Sequence, residues 1–353
     1  ILNGLLLKYS ELLEANGHSR YKSLPYTPGI LAGVNLAGYL TAELGVGEAA
    51  RGYVSSIRQL SMQIALMDFT KGTPSRTLDT SLSGFTKDSP FPVNLVCVNA
   101  DQVENFISHA GQKYFEGKTS VGVWWWELPR FPDVWKNRFK YFEQIWVGSE
   151  FAREAVQSAT SVSIVKIPPV VEVKLGQPYQ REHYGLASSE FVFLFVFDFL
   201  SIFERKNPLA IIRAFKQAFK DHESVRLVLK YINESHDPEN LKRIEQEIDD
   251  ARITVMSGYF SKDEKNGLIA AVDCYVSLHR SEGFGYTMAE AMYLGKPVIA
   301  TAWSGNMDFM TNENSYPVDY KLVELEADYG PYERGQTWAE PSIEHAATLM
   351  RRV

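Results

Sequence analysis

The chain has no basic tract, and 36 Lys and Arg against 43 Asp and Glu leave a net charge of −7. That balance argues against nucleic acid as the main partner and leaves no strong patch for an anionic membrane. Long apolar runs are missing too: the longest, 191–197, ends at Asp198, far short of the roughly 20 residues a membrane helix needs. With no span and no secretory leader evident, the expected location is the cytoplasm. Only two cysteines occur, Cys97 and Cys274, one in an apolar stretch of each half, which fits free core thiols in a reducing compartment. Asp-x-Asp, His-Glu-x-x-His and paired Cys-x-x-Cys motifs are absent and the seven histidines are scattered, so no metal site is expected. A Gly-x-Ser-x-Gly elbow is absent as well, which removes the common hydrolase arrangement.

What is present is enough for two cores: 353 residues, 45% of them hydrophobic. Short apolar runs alternate with amphipathic stretches throughout, the pattern of parallel sheets covered on both faces, so the expected class is doubly wound α/β. Strands are expected at 30–37, 63–68, 93–98, 120–126, 145–148 and 162–167, then at 191–197, 225–231, 252–256, 274–278 and 298–301. These divide the chain into an uncertain N-terminal extension (1–29), a first Rossmann-like domain (30–172), a linker (173–190) and a second domain (191–353). Residues 5–13 have the pattern of an amphipathic helix. Because the chain opens on Ile1 and stops at Val353 after a helix-like stretch, it reads as a piece of a longer protein.

The most informative segment runs from Ser281 to Met292, Ser-Glu-Gly-Phe-Gly-Tyr-Thr-Met-Ala-Glu-Ala-Met, and closes on Gly295-Lys296-Pro297-Val298-Ile299-Ala300-Thr301. It follows an apolar run and precedes another, so the order is strand, loop, helix, turn, strand. Ligands of open parallel sheets bind where loops leave the carboxyl ends of strands, which places Glu282 to Gly285 at the lip of a site with a helix N-terminus behind it. Exposed amides and the helix dipole there favour an anion such as a diphosphate. A plainer reading remains open: Thr287-x-x-Glu290 is also a capping box, in which Glu290 only returns a hydrogen bond to its own helix.

The whole string resembles the signature of the retaining GT-B glycosyltransferases of family four. The resemblance implies two Rossmann-like domains facing across a cleft, with Glu290 on the ribose hydroxyls of a nucleotide sugar and Glu282 against the donor sugar. The amides of Phe284 and Gly285 would meet the diphosphate, and Gly283, Tyr286 and Thr287 would belong to the same donor site. Gly45 and Gly47, with Glu48, resemble the family's glycine loop at the first long helix, which faces the donor. Arg205 and Lys206 resemble part of the family's cationic pair for the leaving group, although Leu200 stands where an earlier arginine is expected. Tyr259 and Phe260 would lie near the base. Where many members place a histidine, this chain has Trp124-Trp125-Trp126-Glu127, so Glu127 or a tryptophan would substitute. That stretch, with Ser277-Leu278-His279-Arg280 and Ser304-Gly305-Asn306-Met307-Asp308, resembles a bacterial polysaccharide subgroup that includes mannosyltransferases. Ser149-Glu150-Phe151 and Ser257-Gly258 also match the family.

The expectation is therefore a metal-independent retaining glycosyltransferase without a cofactor, acting in surface polysaccharide or lipopolysaccharide synthesis. Its donor would be a nucleoside diphosphate sugar, with GDP-mannose preferred. A saccharide or lipid-linked saccharide would be the acceptor, and a lipid-linked one would bring the protein to the inner face of a membrane. Three alternatives stay open: a nucleotide-sugar epimerase of the same architecture, a catalytically inactive nucleotide-sugar binding module, and an NAD oxidoreductase. The last rests on Gly45-x-Gly47-x-x-Ala50 with Asp68 about twenty residues on, the dinucleotide spacing, although seven residues (38–44) separate the glycines from the expected strand.

Overall fold

A computed structural model describes residues 33–220 and 223–353. The expected extension, the 5–13 helix and the start of the 30–37 strand lie outside the described residues. Among those described, the first half forms a parallel sheet of β1 (Gly33–Gly38), β2 (Gln63–Asp68), β3 (Val93–Cys97), β4 (Thr119–Trp124), β5 (Gln144–Val147) and β6 (Ser163–Lys166), ordered β2-β1-β3-β4-β5-β6. Helices α1 (Gly45–Gln59), α2 (Val103–Ala110) and α3 (Glu150–Gln157) lie on its faces. The second half repeats the scheme with β7 (Phe191–Asp198), β8 (Val225–Ile232), β9 (Ile253–Met256), β10 (Cys274–Ser277), β11 (Val298–Thr301) and β12 (Tyr316–Val318), ordered β12-β11-β10-β7-β8-β9. Its helices are α4 (Phe203–Lys206), α5 (Pro208–Ala218), α6 (Pro238–Glu247), α7 (Lys262–Ala271), α8 (Tyr286–Tyr293) and α9 (Ile343–Arg352). The expected strands recur with small differences at their ends.

Strand order fixes where a ligand can sit. It reverses direction between β1 and β3 in the first sheet and between β7 and β10 in the second, and crevices open beyond the carboxyl ends at such switch points. Both crevices face the same cleft. Each strand supplies both faces of its sheet, because successive side chains alternate. Leu36, Leu95, Cys97 and Val121 pack under α1, while Ala37, Val96, Val98 and Trp124 pack on the opposite side with Phe106 of α2. In the second half Phe193, Leu194 and Phe195 of β7 are buried at the sheet centre, each stabilising by about 1.5–3 kcal/mol on burial. Cys97 and Cys274 are free and buried.

Two features were not expected. Strand β12 is three residues long and contains Pro317, tolerated because β12 is an edge strand. An antiparallel hairpin, β13 (Tyr320–Glu324) and β14 (Thr337–Pro341), follows it. Leu325, Tyr332 and Trp338, from the hairpin and its connecting loop, join the first half's core, so this part of the second half is shared between the two. Within the stretch expected as linker, Tyr184 and Leu186 are buried in the second core. No helix among the described residues is long and apolar enough to cross a membrane.

Candidate active site

The loop after β1 turns under the first turn of α1. Arg51 ties it down, donating to Leu40 O at 3.1 Å and Ala42 O at 3.0 Å. Gly47 is buried there: a Cβ on it would stand 2.5 Å from Tyr39 O and 2.6 Å from Ala42 O, so only glycine lets the helix approach so closely. Gly45 and Glu48 face the cleft instead. Glu48 pairs with Arg51 at 3.0 Å and, across the cleft, with Lys262 of α7. Burial would raise its carboxyl, but these two cations hold it below its usual range.

On the second half, β10 delivers the loop from Leu278 to Gly285. Gly285 at φ +96° is the N-cap of α8, a left-handed conformation that suits glycine. Thr287 is therefore the second residue of α8, and no side chain caps the helix. Thr287 Oγ1 instead accepts from Tyr275 Oη at 2.7 Å. The capping-box reading of Thr287 and Glu290 is thereby excluded. Glu290 is free of its helix end: Oε1 pairs with Lys265 Nζ at 2.6 Å, whereas Oε2 is buried with no partner and Glu290 lines the cleft. A buried acceptor left unmatched costs free energy until a donor fills it.

Arg205 and Lys206 of α4 meet Glu282 at the base of the cleft. Arg205 donates to Ser281 O at 2.9 Å and Ser201 O at 3.2 Å and lies 3.2 Å from Glu282 Oε1. Lys206 Nζ bonds the same Oε1. Burial opposes the Glu282 charge, yet the two cations hold its carboxyl at about 2, well below the usual range. Burial lowers the Lys206 ammonium, with Glu282 opposing and Arg205 adding to the shift. Two cations converge here on one carboxylate oxygen, with the Glu127 carboxylate near enough to act on both. Leu200 also lines the cleft, and among the described residues no arginine stands in its place.

The tryptophan run splits as strand geometry requires. Trp124 and Trp126 pack into one face of the first half, while Trp125 contacts the other face and Tyr286. Glu127 follows them into the cleft. Its Oε2 accepts from Tyr332 Oη at 3.0 Å, and its backbone O accepts from Ser281 Oγ. Tyr332 comes from the unexpected hairpin. Burial raises its phenol well above the usual value, so it stays a donor to Glu127.

The two halves touch through the loops that carry the motif. Ser149, N-cap of α3, donates from Oγ to Gly283 O at 2.6 Å. Asp308 accepts from Glu150 N at 3.0 Å and pairs with Lys166 at 3.1 Å. Gly305 lets this loop close on Gly283: a Cβ there would be 2.3 Å from Gly283 O. His279 is buried, and burial lowers it to about 4, so it is neutral. Its Nε2–H donates to Asn306 Oδ1 at 3.1 Å and its Nδ1 accepts from Ser277 Oγ at 3.0 Å, fixing the loop after β11.

Together these elements enclose a cleft of about 690 Å³ between the halves. Gly45, Glu48, Glu127, Arg205, Lys206, Tyr259, Phe260, Glu282, Gly283, Phe284, Gly285, Tyr286, Thr287 and Glu290 all line it. Of the expected site residues only Gly47 does not. Lys230, Lys262 and Lys265 line it as well and were not anticipated; a lysine inside the apolar run of β8 was the available signal. Asp68 is away from the cleft, both carboxylate oxygens engaged by Thr41, at 3.0 Å from its N and 2.7 Å from its Oγ1. That removes the ribose contact a dinucleotide fingerprint needs. No cluster of three or more His, Cys, Asp or Glu among the described residues could hold a metal ion.

Residues 177–319, which carry α4, β7 to β11 and the glutamate loop, match the family model described as Glycosyl transferases group 1. That stretch is similar to the group 1 glycosyl transferases. The two doubly wound sheets facing across a cleft are the GT-B architecture. A glycosyltransferase from Rickettsia africae superposes with a TM-score of 0.62 at 14% identity, over 92% of this chain and 88% of that one. Anabaena HepE, solved in complex with UDP and glucose, gives 0.58 at 12% identity over 91% and 89%. TarM from S. aureus, solved with fondaparinux, α-GlcNAc-glycerol and UDP, gives 0.51 at 14% identity over 74% of this chain. The chain spans about half, 48%, of the TarM chain. At these identities the likeness is one of fold. A search of the curated proteins finds no match to the chain.

Proposed function

We propose that the two halves form a retaining, metal-independent glycosyltransferase that moves a sugar from a nucleoside diphosphate to a saccharide or lipid-linked saccharide. The observation that carries this reading is the cluster of Lys206, Arg205 and ionised Glu282 beside the N-terminus of α8. A diphosphate would lie along the amides of the 283–287 loop, with Lys206 nearest its developing charge. Preorganised cations and amides in a cleft act most strongly on charge that appears in the transition state. Glu282, ionised across ordinary pH, would accept from the sugar hydroxyls, and the unpartnered Glu290 Oε2 from the ribose. Glu127, held by Tyr332, would sit on the opposite wall near the reacting carbon. In the reaction the bond from the anomeric carbon to the diphosphate breaks on the face where the acceptor oxygen bonds, and the acceptor's proton passes to the departing diphosphate.

GDP-mannose is the donor favoured by the polysaccharide-subgroup resemblance, and surface polysaccharide synthesis is the process it implies. UDP-sugars are the rival, since HepE and TarM were each solved with UDP. An acceptor on lipid would place the protein at the inner face of a membrane.

The test is a panel of GDP-, UDP- and ADP-sugars, with and without EDTA, followed by product analysis. Binding of GDP or UDP is expected to stabilise the fold by about 2.7 kcal/mol at a hundredfold excess over the dissociation constant, with EDTA making no difference. Loss of the shift in EDTA would rule out the metal-free site, and an epimerised sugar nucleotide as sole product would replace transferase with epimerase. Glu290→Gln isolates the ribose contact. The fold is expected to change by less than about 1 kcal/mol while donor affinity falls, because an amide replaces a charge-assisted acceptor for two hydroxyls. Equal donor affinity in wild type and variant would remove Glu290 from the site.

A further inference from the structure

Lys230 has no assigned part in the chemistry above. It sits at the carboxyl end of β8, is 2% exposed, and lines the cleft on the side of Tyr259 and Phe260. Among the described residues no carboxylate lies within ion-pairing distance of it, and Glu234 acts on it only from farther off, in contrast to the direct pairs of Lys206, Lys262 and Lys265. Its Nζ donates to Tyr231 O at 3.1 Å and to Gly258 O, and stands 4.4 Å from the centre of the Phe260 ring. Two of three N–H donors are thus used. A buried lysine without a counter-ion is costly, and burial lowers its ammonium to about 8.

We propose that Lys230 is a specificity residue that reads the nucleobase of the donor, selecting uracil or guanine over adenine or cytosine. The inference rests on the nucleotide-sugar reading of the cleft and adds the class of base. The ammonium and the carbonyls it bonds present a donor beside acceptors. Uracil and guanine carry a ring carbonyl next to a ring N–H, which matches that order: the oxo group meets the third N–H of Lys230, and the ring N–H meets a remaining lone pair of Tyr231 O, which borders the cleft. Adenine and cytosine carry an exocyclic amino group at that corner, so donor faces cation and the ring nitrogen faces a carbonyl. Unpaired polar groups in a desolvated pocket discriminate far better than extra apolar contact does.

The test is calorimetric titration of UDP, GDP, ADP and CDP into wild type, Lys230→Met and Lys230→Gln, with thermal melts alongside. Wild type is expected to prefer UDP or GDP to ADP. Lys230→Met keeps the length and the contact with Phe260 and should lose about 10- to 100-fold in affinity for the preferred nucleotide with little change for ADP, as expected for one hydrogen bond from a charged donor. Lys230→Gln, whose amide can present either its N–H or its carbonyl, should narrow the gap further by accommodating ADP. If the variants fold and keep the wild-type ratio of affinities, base reading by Lys230 is overturned while the nucleotide site stands. Should wild type bind none of the four, the nucleotide-sugar reading itself falls, and this assignment with it.

Discussion

Lys206→Ala is expected to lower kcat by roughly a hundred- to a thousandfold, about 3 to 4 kcal/mol, with a much smaller change in donor affinity. The reason lies in when its charge is needed. Before the bond to the diphosphate breaks, Lys206 is occupied by Glu282 and contributes little to holding the donor. As the diphosphate departs, negative charge grows beside the cation, and the interaction strengthens in the transition state alone. Only such differential interactions raise kcat. Stability should fall by no more than about 1 to 3 kcal/mol, because Arg205 remains 3.2 Å from the Glu282 carboxylate. Steady-state kinetics at saturating donor, with melts of the same preparations, separate the two effects. Turnover at the wild-type rate would end the phosphate-clamp assignment of Lys206.

Much of this arrangement was legible in the sequence because it is local. The alternation of apolar runs with amphipathic stretches gave all strands of the first sheet within the described residues, and the run from Ser281 to Thr301 predicted its own loop, helix and following strand. Those segments obey short-range rules: periodicity, a glycine at the helix start, Gly295 and Pro297 at its end. Local rules failed where a residue's role is set by something distant. Gly47 reads as part of a donor loop, yet it is buried because Tyr39 O and Ala42 O fold back over it. Thr287 and Glu290 have the spacing of a capping box, but Tyr275 and Lys265, from β10 and α7, take their side chains elsewhere. Tyr332 reaches Glu127 from 205 positions away, from the loop of a hairpin whose first strand is mostly exposed. Lys230 sat in plain view as one charge in an apolar run, and its meaning came only from the carbonyls around it.

Arg205 illustrates the same point most sharply, for it stands beside Lys206 in the sequence and differs from it in the fold. Arg205 is 5% exposed, and its guanidinium joins the turn after β7, through Ser201 O, to the loop after β10, through Ser281 O and Glu282. Three acceptors at different angles suit the rigid fork of arginine and no other side chain. Arg205→Ala is therefore expected to cost about 3 to 5 kcal/mol of stability, the penalty for breaking a buried pair and leaving Ser201 O and Ser281 O unmatched with Glu282 held by Lys206 alone. Arg205→Lys should recover only part of it. The loss should depend on the charge of Glu282. In wild type that carboxyl titrates near 2 rather than 4.5, so its stabilising contribution is complete above about pH 4.5 and disappears as the pH falls towards 2. Without Arg205 the folded carboxyl moves back up, so the gap between wild type and Arg205→Ala should shrink through that window. Pairing Arg205→Ala with Glu282→Gln removes both charges, and the double variant should be more stable than the sum of the two single losses predicts, by roughly 0.5 to 3 kcal/mol. Denaturant midpoints of the four proteins at pH 7 and pH 3 decide the matter. Strict additivity at both values would mean that Arg205 stabilises the loops through the serine carbonyls alone and that Glu282 owes its charge to Lys206.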